Sequence, residues 1–474
     1  MKYHIVQLGC QMNISDGERV QETLDKMGFE VTAEEAEADL LGVIACSVRQ
    51  KGIDKVYSRI SKWNKWKHKK NLITFVSGCV LPSDKEKFLK SFDLVFNMSD
   101  LSELPTMISQ YGIVSRAGMQ NLDQGLKDLI ADRNPGINPA GFKLSEISVN
   151  TKEKASELVK NEKIEDFWNI TPKYGSGFEA FIPIQNGCDK FCTYCAVPYT
   201  RGREVSRPSS EIISELLHLV ENDYKSITLL GQNVNSYGLD KKGDEINFAG
   251  LLEKIGEYGD KSDKDFWVYF TSPHPRDMSD DVLEVIAKHK CLAKQIHIPV
   301  QSGDDEVLKN MNRRHNLATY RKIIEGIRRI LPTATIFTDI IVGFAEETDE
   351  QFANTKKIMS EFKYNMAYIA QYSPRPGAVS SKWEDTVSKD VKKKRLHELT
   401  DELMKYSLEH NKQMIGKTFK VLVRGRDRKK EYLSALTEGK IIVRFKYDDD
   451  SLIGEFVKVK INSAIAFSTE GELV

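Results

Sequence analysis

Over roughly the first 115 positions, short apolar runs alternate with stretches whose apolar residues recur every three or four places. Tyr3–Leu8, Leu40–Cys46, Leu72–Ser77 and Leu94–Phe96 read as strands. Asp16–Met27, closed by Gly28, and Arg49–Lys67 read as amphipathic helices. Strands that alternate with helices predict a parallel sheet covered on both faces. Residues 1–115 are therefore expected to form a small doubly wound α/β domain. From 116 to 175 the pattern dissolves into Asn134-Pro135-Gly136, Asn138-Pro139-Ala140-Gly141 and a charged stretch, Thr151–Asp166, which predicts a linker or insertion.

The alternation restarts at Phe178. Strand-like runs at Phe181–Gln185, Ser226–Leu230, Phe266–Thr271, Gln295–Val300, Thr335–Val342 and Met366–Tyr372 have helical patterns between them, among them Ser210–Glu221, Ser279–Lys288 and Leu317–Ile330. Six such units predict a partial (βα)6 barrel over 176–410, short of the eight units of a closed one. Lys389–Met414 reads as a helix. Residues 411–474 carry only short alternating runs, Phe419–Val423, Tyr432–Leu436, Lys440–Phe445 and Glu455–Ile461, the pattern of a small all-β barrel.

Composition narrows the function classes. The chain has 474 residues, enough for two or three domains, and 69 basic residues balance 69 acidic ones. A nucleic-acid partner therefore has to show as a local footprint. No apolar run approaches the roughly 18 residues of a membrane span, and the N-terminus has no signal-peptide layout, so a cytoplasmic protein with no membrane partner is expected. Two footprints exist. Lys51–Lys70 holds eight Lys/Arg and one acid, Asp54, with Trp63 and Trp66 interleaved. This suits RNA, or equally a solvated helix face with its Trp side in the core. Asn411–Val474 holds 13 basic and 9 acidic residues, and Arg424, Arg426, Arg428, Lys429 and Lys430 concentrate the excess.

Seven cysteines, an odd number in a chain expected to be cytoplasmic, argue against a disulfide framework. Cys188, Cys192 and Cys195 form C-x3-C-x2-C directly after the first barrel strand, at the strand end where barrel chemistry sits. Three thiolates hold three irons of a four-iron cluster and leave the fourth open to a substrate or cofactor, as in radical S-adenosylmethionine (SAM) chemistry. A zinc loop with a distant fourth ligand is the alternative. Cys10, Cys46 and Cys79 each close an expected strand of the first domain, and parallel strands end on one edge, where their loops converge. They read as a second three-cysteine cluster, or as three structural cysteines. Cys291 has no partner pattern and is assigned to structure.

With these motifs the chain resembles the methylthiotransferases, radical SAM enzymes with two clusters and a C-terminal TRAM domain, an RNA-binding module. The resemblance spans nearly the whole chain. It is closest to the tRNA branch in Leu8-Gly9-Cys10-Gln11-Met12-Asn13, Pro198-Tyr199-Thr200-Arg201-Gly202-Arg203-Glu204 and Tyr372-Ser373-Pro374-Arg375-Pro376-Gly377. It departs where Ile44-Ala45 precede Cys46 and where the family's Gly-Phe-Pro-Gly-Glu-Thr reads Gly343-Phe344-Ala345-Glu346-Glu347-Thr348.

The resemblance implies two 4Fe-4S clusters and SAM as cofactors, with Cys188, Cys192 and Cys195 on the radical-generating cluster and Cys10, Cys46 and Cys79 on the sulfur-donating one. It implies methylthiolation at carbon 2 of an isopentenylated adenosine beside the anticodon. That C–H bond has no useful acidity, so a radical is required where a base would fail. A tRNA anticodon stem-loop, an external electron donor and a monomeric enzyme belong to this expectation. SAM contacts are expected from Gly231, Gln232 and Asn233 after the second barrel strand, Ser272 and Gln301 after the third and fourth, and Asp339 and Gly343 on the fifth, each with turn formation as the alternative. Arg201 and Arg203 are expected at phosphate or the SAM carboxylate, and Arg424, Arg426, Arg428, Lys429 and Lys430 at tRNA phosphates. Competing readings are a sister enzyme acting on threonylcarbamoyladenosine or a ribosomal protein, and a non-catalytic iron–sulfur RNA-binding sensor.

Overall fold

In a computed structural model, residues 1–47, 50–111 and 163–474 are described. They fall into two compact units. The first holds the described residues up to Gly175 with Asn186–Asp189 and Cys195–Arg207, and the second holds Ser176–Gln185, Lys190–Tyr194 and Pro208–Val474.

The first unit is built on five parallel strands, β1 (Lys2–Gln7), β2 (Glu30–Val31), β3 (Leu40–Cys46), β4 (Ile73–Cys79) and β5 (Leu94–Val95), in the order β2-β1-β3-β4-β5. Every residue of β3 and β4 is buried, which is why both read as continuous apolar runs rather than alternating ones. Helix α1 (Gln11–Lys26) packs Val20 and Leu24 with Ile44 and Phe75 on one face. Helix α2 (Gln50–Lys67) packs Ile53, Val56, Ile60 and Trp63 with Val43 and Val76 on the other. The doubly wound expectation holds.

Two expectations change. Arg49 and most of the expected linker, including Asn134-Pro135-Gly136 and Asn138-Pro139-Ala140-Gly141, lie outside the described residues. The rest of that segment is not loose: Ile164–Trp168 is helical, and Ile164, Phe167 and Trp168 are buried in the first unit's core. Gly175 then donates its N–H to the Glu18 carboxylate (2.9 Å). On α2, Trp63 is fully buried and donates to Glu35 (3.2 Å). Arg59 and Lys62 pair with the same carboxylate and Lys67 with Asp93. The basic, aromatic character of this helix is thus spent largely on internal packing.

In the second unit, β6 (Glu179–Pro183), β7 (Ser226–Leu230) and β8 (Trp267–Phe270) form one parallel sheet, and β9 (Gln295–His297), β10 (Thr335–Val342) and β11 (Met366–Gln371) another. Val268 links them, donating to Cys291 O (2.7 Å) and accepting from Ala293 N (3.0 Å), so six strands run as one open arc. Cys291 is buried in that seam. The last unit of structure is a closed barrel, β12 (Thr418–Arg426), β13 (Tyr432–Thr437), β14 (Ile442–Lys446), β15 (Phe456–Ile465) and β16 (Ser468–Leu473), in the order β12-β13-β14-β16-β15. Its core is the alternating set Val421, Val423, Leu433, Ala435, Val443, Phe445, Val459 and Ile461. The fifth strand, Ser-Thr-Glu-Gly-Glu-Leu, has almost no apolar alternation and went unread. It closes the barrel by pairing parallel to β14 and antiparallel to β15.

Candidate active site

Cys46 and Cys79 are the last residues of adjacent strands and sit in register with each other. Cys10 precedes the first residue of α1, three residues beyond the end of β1. Gly9 (φ +123°) and Gly78 (φ +97°) both hold left-handed backbone immediately before a cysteine, and Cβ atoms there would press on Cys46 Cβ and the Ala45 carbonyl, each at 2.7 Å. Only glycine carries that geometry without strain. Gly187, before Cys188, repeats it at φ +83°. Asn13 ties the group together. Its Nδ2 donates to Leu8 O and Ala45 O (2.6 Å each), and its Oδ1 lies 3.9 Å from Cys10 Sγ and 3.7 Å from Cys79 Sγ.

Burial pushes the Cys79 thiol up to about 12 against the pull of Arg201, and Cys46, Cys10 and Asp16 add to the rise. Cys46 and Cys79 are buried and Cys10 is exposed, and a buried thiol is stable as thiolate only with a cation beside it. Among the described residues no group of three His, Cys, Asp or Glu side chains is placed to hold a single metal ion. Three thiols at neighbouring strand ends are the donor type that an iron–sulfur cluster takes.

Arg201 differs from its expected role. It is buried and forked onto Asp16, with Nη1 also reaching Asn186 Oδ1 (3.2 Å) and Nε donating to Cys79 Sγ (3.1 Å). Asp16 is fully buried, so its charge dictates where this guanidinium goes. Arg203 remains exposed and pairs with Asp189 (3.3 Å).

Within the second unit, the middle of the cysteine loop is gripped by the segment after the helix Asp305–Asn310. Thr193 N donates to Met311 O (3.1 Å), and Asn312 Nδ2 to Phe191 O (2.9 Å). Arg313 Nη1 reaches Cys192 Sγ (3.4 Å) while Nη2 holds Pro299 O (3.0 Å). Lys190, two residues before Cys192, is buried against Asp277 (2.6 Å). Asp277 also accepts from Asn233 Nδ2 (3.2 Å). Asn13, Asp16, Arg313, Lys190 and Asp277 were not read as site residues. The only advance signal was that Asn13 and Lys190 sit inside the cysteine strings.

Gly231, Gln232, Asn233, Ser272, Gln301 and Gly343 all follow strand ends on one edge of the arc. Ser272 (φ +61°) and Gln301 (φ +75°) hold left-handed backbone that their residue types rarely adopt. Asn233 Oδ1 and His274 Nε2 are buried there without a hydrogen-bond partner among the described residues. Orphaned buried polar atoms are what a site built for a polar cofactor presents. Asp339 is occupied by His297 (Nε2 to Oδ2, 2.6 Å). At Gly343 a Cβ would run into the Lys392 stem, and its N–H is held by Glu347 (2.7 Å). In the last barrel, Arg424 pairs with Glu179 (2.5 Å), and Arg426 with Asp450 and the Tyr447 carbonyl. Arg428, Lys429 and Lys430 remain as an exposed tip. A cleft of the second unit, about 1640 Å³, lies at the opposite ends of the strands, among Trp267, Lys294, Thr335 and Lys417.

Comparison with known proteins fits this arrangement. Residues 182–359 match the Radical SAM superfamily, 2–98 the Uncharacterized protein family UPF0004 and 412–474 the TRAM domain. A curated tRNA-2-methylthio-N(6)-dimethylallyladenosine synthase of Carboxydothermus hydrogenoformans is 35% identical over 479 residues, covering 100% of this chain and 99% of that protein. The protein of the same description from Parabacteroides distasonis is 36% identical (100% and 95% covered), and that of Fusobacterium nucleatum 33% (100% and 100%). A solved radical S-adenosylmethionine methyltransferase from Kitasatospora setae, with cobalamin and a 4Fe-4S cluster bound, aligns at TM-score 0.52 and 13% identity over 80% of this chain and 76% of that one, a likeness of fold alone. Two separate sets of three cysteines, a barrel with one set at its first strand and a closed C-terminal barrel, matched end to end by these relatives, place the chain in the radical SAM methylthiotransferase family of the tRNA-2-methylthio-N(6)-dimethylallyladenosine synthases.

Proposed function

We propose that the protein is a tRNA methylthiotransferase that installs a methylthio group at carbon 2 of N(6)-(dimethylallyl)adenosine next to the anticodon. The observation that carries this is the pairing of the C-x3-C-x2-C loop with a second, folded-in cysteine set at Cys10, Cys46 and Cys79. One radical-generating site is enough for SAM cleavage, and a second iron–sulfur site is what sulfur transfer adds. No helix among the described residues is long and apolar enough to cross a membrane, and a tRNA substrate suits work in the cytoplasm with an external one-electron donor.

When bound, the cluster of the triplet loop and SAM supply a carbon radical able to take hydrogen from an unactivated C–H bond. The chain's own residues do the rest. Lys190 with Asp277 and Arg313 with Pro299 hold the middle of the triplet loop. Gly231–Asn233, Ser272 and Gln301 offer polar groups at the strand ends for the cofactor's amino, carboxylate and ribose groups. Arg201 donates to the Cys79 sulfur, and Asn13 holds the backbone of the strand ends that carry the N-terminal cysteines. Arg428, Lys429 and Lys430 offer charge to phosphate.

The test is anaerobic reconstitution of the full chain, with iron and sulfide analysis, followed by SAM, dithionite and an isopentenylated anticodon stem-loop. About eight irons per chain, two four-iron clusters, and 2-methylthio nucleoside by mass spectrometry are expected. C192S should lose both 5′-deoxyadenosine and product, whereas C79S should lose product. 5′-Deoxyadenosine without a methylthio nucleoside, while a threonylcarbamoylated stem-loop is converted, would reassign the substrate. No 5′-deoxyadenosine with both clusters verified would favour the sensor.

A further inference from the structure

A run of aromatic rings leads from the cysteine loop to the surface of the second unit. Tyr194, next to Cys195, meets Phe344 edge-on at 6.4 Å between centroids, and Phe344 meets Trp383 in the same way at 5.8 Å. Phe344 is 1% exposed and Trp383 37%. Trp383 follows a short 3-10 turn, Val379–Lys382, that is bolted to the cysteine loop: Ser380 N donates to Thr193 O (2.8 Å), and Tyr372 Oη donates to Ser380 O (3.0 Å). The turn begins with Val379, 46% exposed, four residues before Trp383. Lys382, between them, is exposed and forms no ion pair among the described residues.

Exposed apolar side chains are costly unless something covers them, and these two stand at the strand-end face, directly attached to the loop that carries the triplet. An aromatic face, an aliphatic neighbour and an unpaired cation are the elements that receive an unstacked base and its phosphate. We propose that Val379, Lys382 and Trp383 form a docking platform for an unstacked, prenyl-bearing base of the RNA loop, with Trp383 stacking on the base, Val379 against the prenyl chain and Lys382 at the flanking phosphate. The inference rests on the tRNA reading above. RNA is favoured over a protein segment because stacking with an adjacent free cation suits a base and its phosphate, whereas a peptide needs a groove that the turn does not provide.

The test is equilibrium binding, independent of turnover. Reconstituted full-length wild type, W383A, W383F and K382A are titrated with a fluorescent anticodon stem-loop carrying isopentenyl-adenosine or plain adenosine. W383A should weaken binding of the isopentenylated loop about tenfold, from the ~1–3 kcal/mol of one base stack, and W383F should recover most of it. V379S should shrink the preference for the isopentenylated loop, and K382A should flatten the salt dependence. Equal affinity of W383A and wild type would overturn the proposal, as would a loss in W383A that W383F does not recover. Weaker binding by W383A, recovered in W383F, together with a wild type that binds the loop yet makes no methylthio nucleoside would sink the functional reading and leave the platform standing.

Discussion

The Nε of Arg201 donates to the Sγ of Cys79 at 3.1 Å, and the same guanidinium is forked onto Asp16, so one buried cation serves a thiol and a carboxylate at once. Arg201 lies six residues beyond Cys195, on the helical turn Val197–Arg201. The chain that leaves the triplet loop therefore brings a guanidinium onto a cysteine of the N-terminal set.

Removing either partner of this pair leaves the other charged and buried. Arg201→Ala is expected to destabilise the first unit by about 3–5 kcal/mol and to lower the iron content after reconstitution. Arg201→Lys should recover part of both, since charge is kept and the fork is lost. Urea denaturation and iron analysis of the three proteins decide the matter, and an unchanged midpoint for Arg201→Ala would remove the pair from the account.

Gly78→Ala asks whether the turn before Cys79 matters. At φ +97°, with the Ala45 carbonyl 2.7 Å from where the methyl would go, an alanine has to move the backbone that aims the thiol. A cost of about 1–3 kcal/mol is expected from the strained conformation, with selective loss of irons from the N-terminal set. Retention of full iron content would show that the glycine serves something other than aiming Cys79.

What could be read in the chain and what could not divide along a physical line. Leu40–Cys46 and Thr335–Val342 were read to the residue because each is an apolar run bounded by loop signals. The strand-end and loop positions of the six cysteines were legible because spacing and strand ends are local properties. Arg201 was misplaced because nothing near it in sequence announces Asp16, 185 residues earlier. Arg424 and Arg426 read as phosphate contacts because their acceptors, Glu179 and Asp450, are equally remote. Ser468–Leu473 was missed because a strand held by its neighbours needs little apolar pattern of its own.

A buried histidine, His274, and a half-buried one, His315, beside Arg313 set an acid limit. Burial, and then Arg313, push His315 down to about 4, and burial with Arg313, His315 and Lys190 pushes His274 further down. Both are therefore neutral in the folded state, while the unfolded chain takes up protons from about pH 6.5 downward. The stability they contribute is complete above about pH 6.5 and is lost as pH falls towards about 4, by on the order of 3 kcal/mol for His315. Urea midpoints across this range should fall less steeply for His315→Gln than for wild type. Parallel curves would show that His315 is not held neutral.

The exposed tip of the last barrel can be tested through salt. If Arg428, Lys429 and Lys430 each meet a phosphate, their triple alanine variant should reduce the slope of log affinity against log salt for the stem-loop by about 2–3, at about 0.7–0.9 per contact. Arg424→Ala, which breaks the Glu179 pair, should leave that slope nearly as it is. Equal slopes for wild type and triple variant would move the RNA contact elsewhere.

The two cysteine sets differ in how far apart their members lie along the chain: eight residues hold Cys188, Cys192 and Cys195, whereas Cys10, Cys46 and Cys79 come from three separate strand ends. The spacing of the first set survives in an unfolded chain. The second does not exist until β1, β3 and β4 have aligned and Asn13 has closed over their ends. Unfolding the first domain therefore scatters Cys10, Cys46 and Cys79 while it leaves the triplet's members within eight residues of one another.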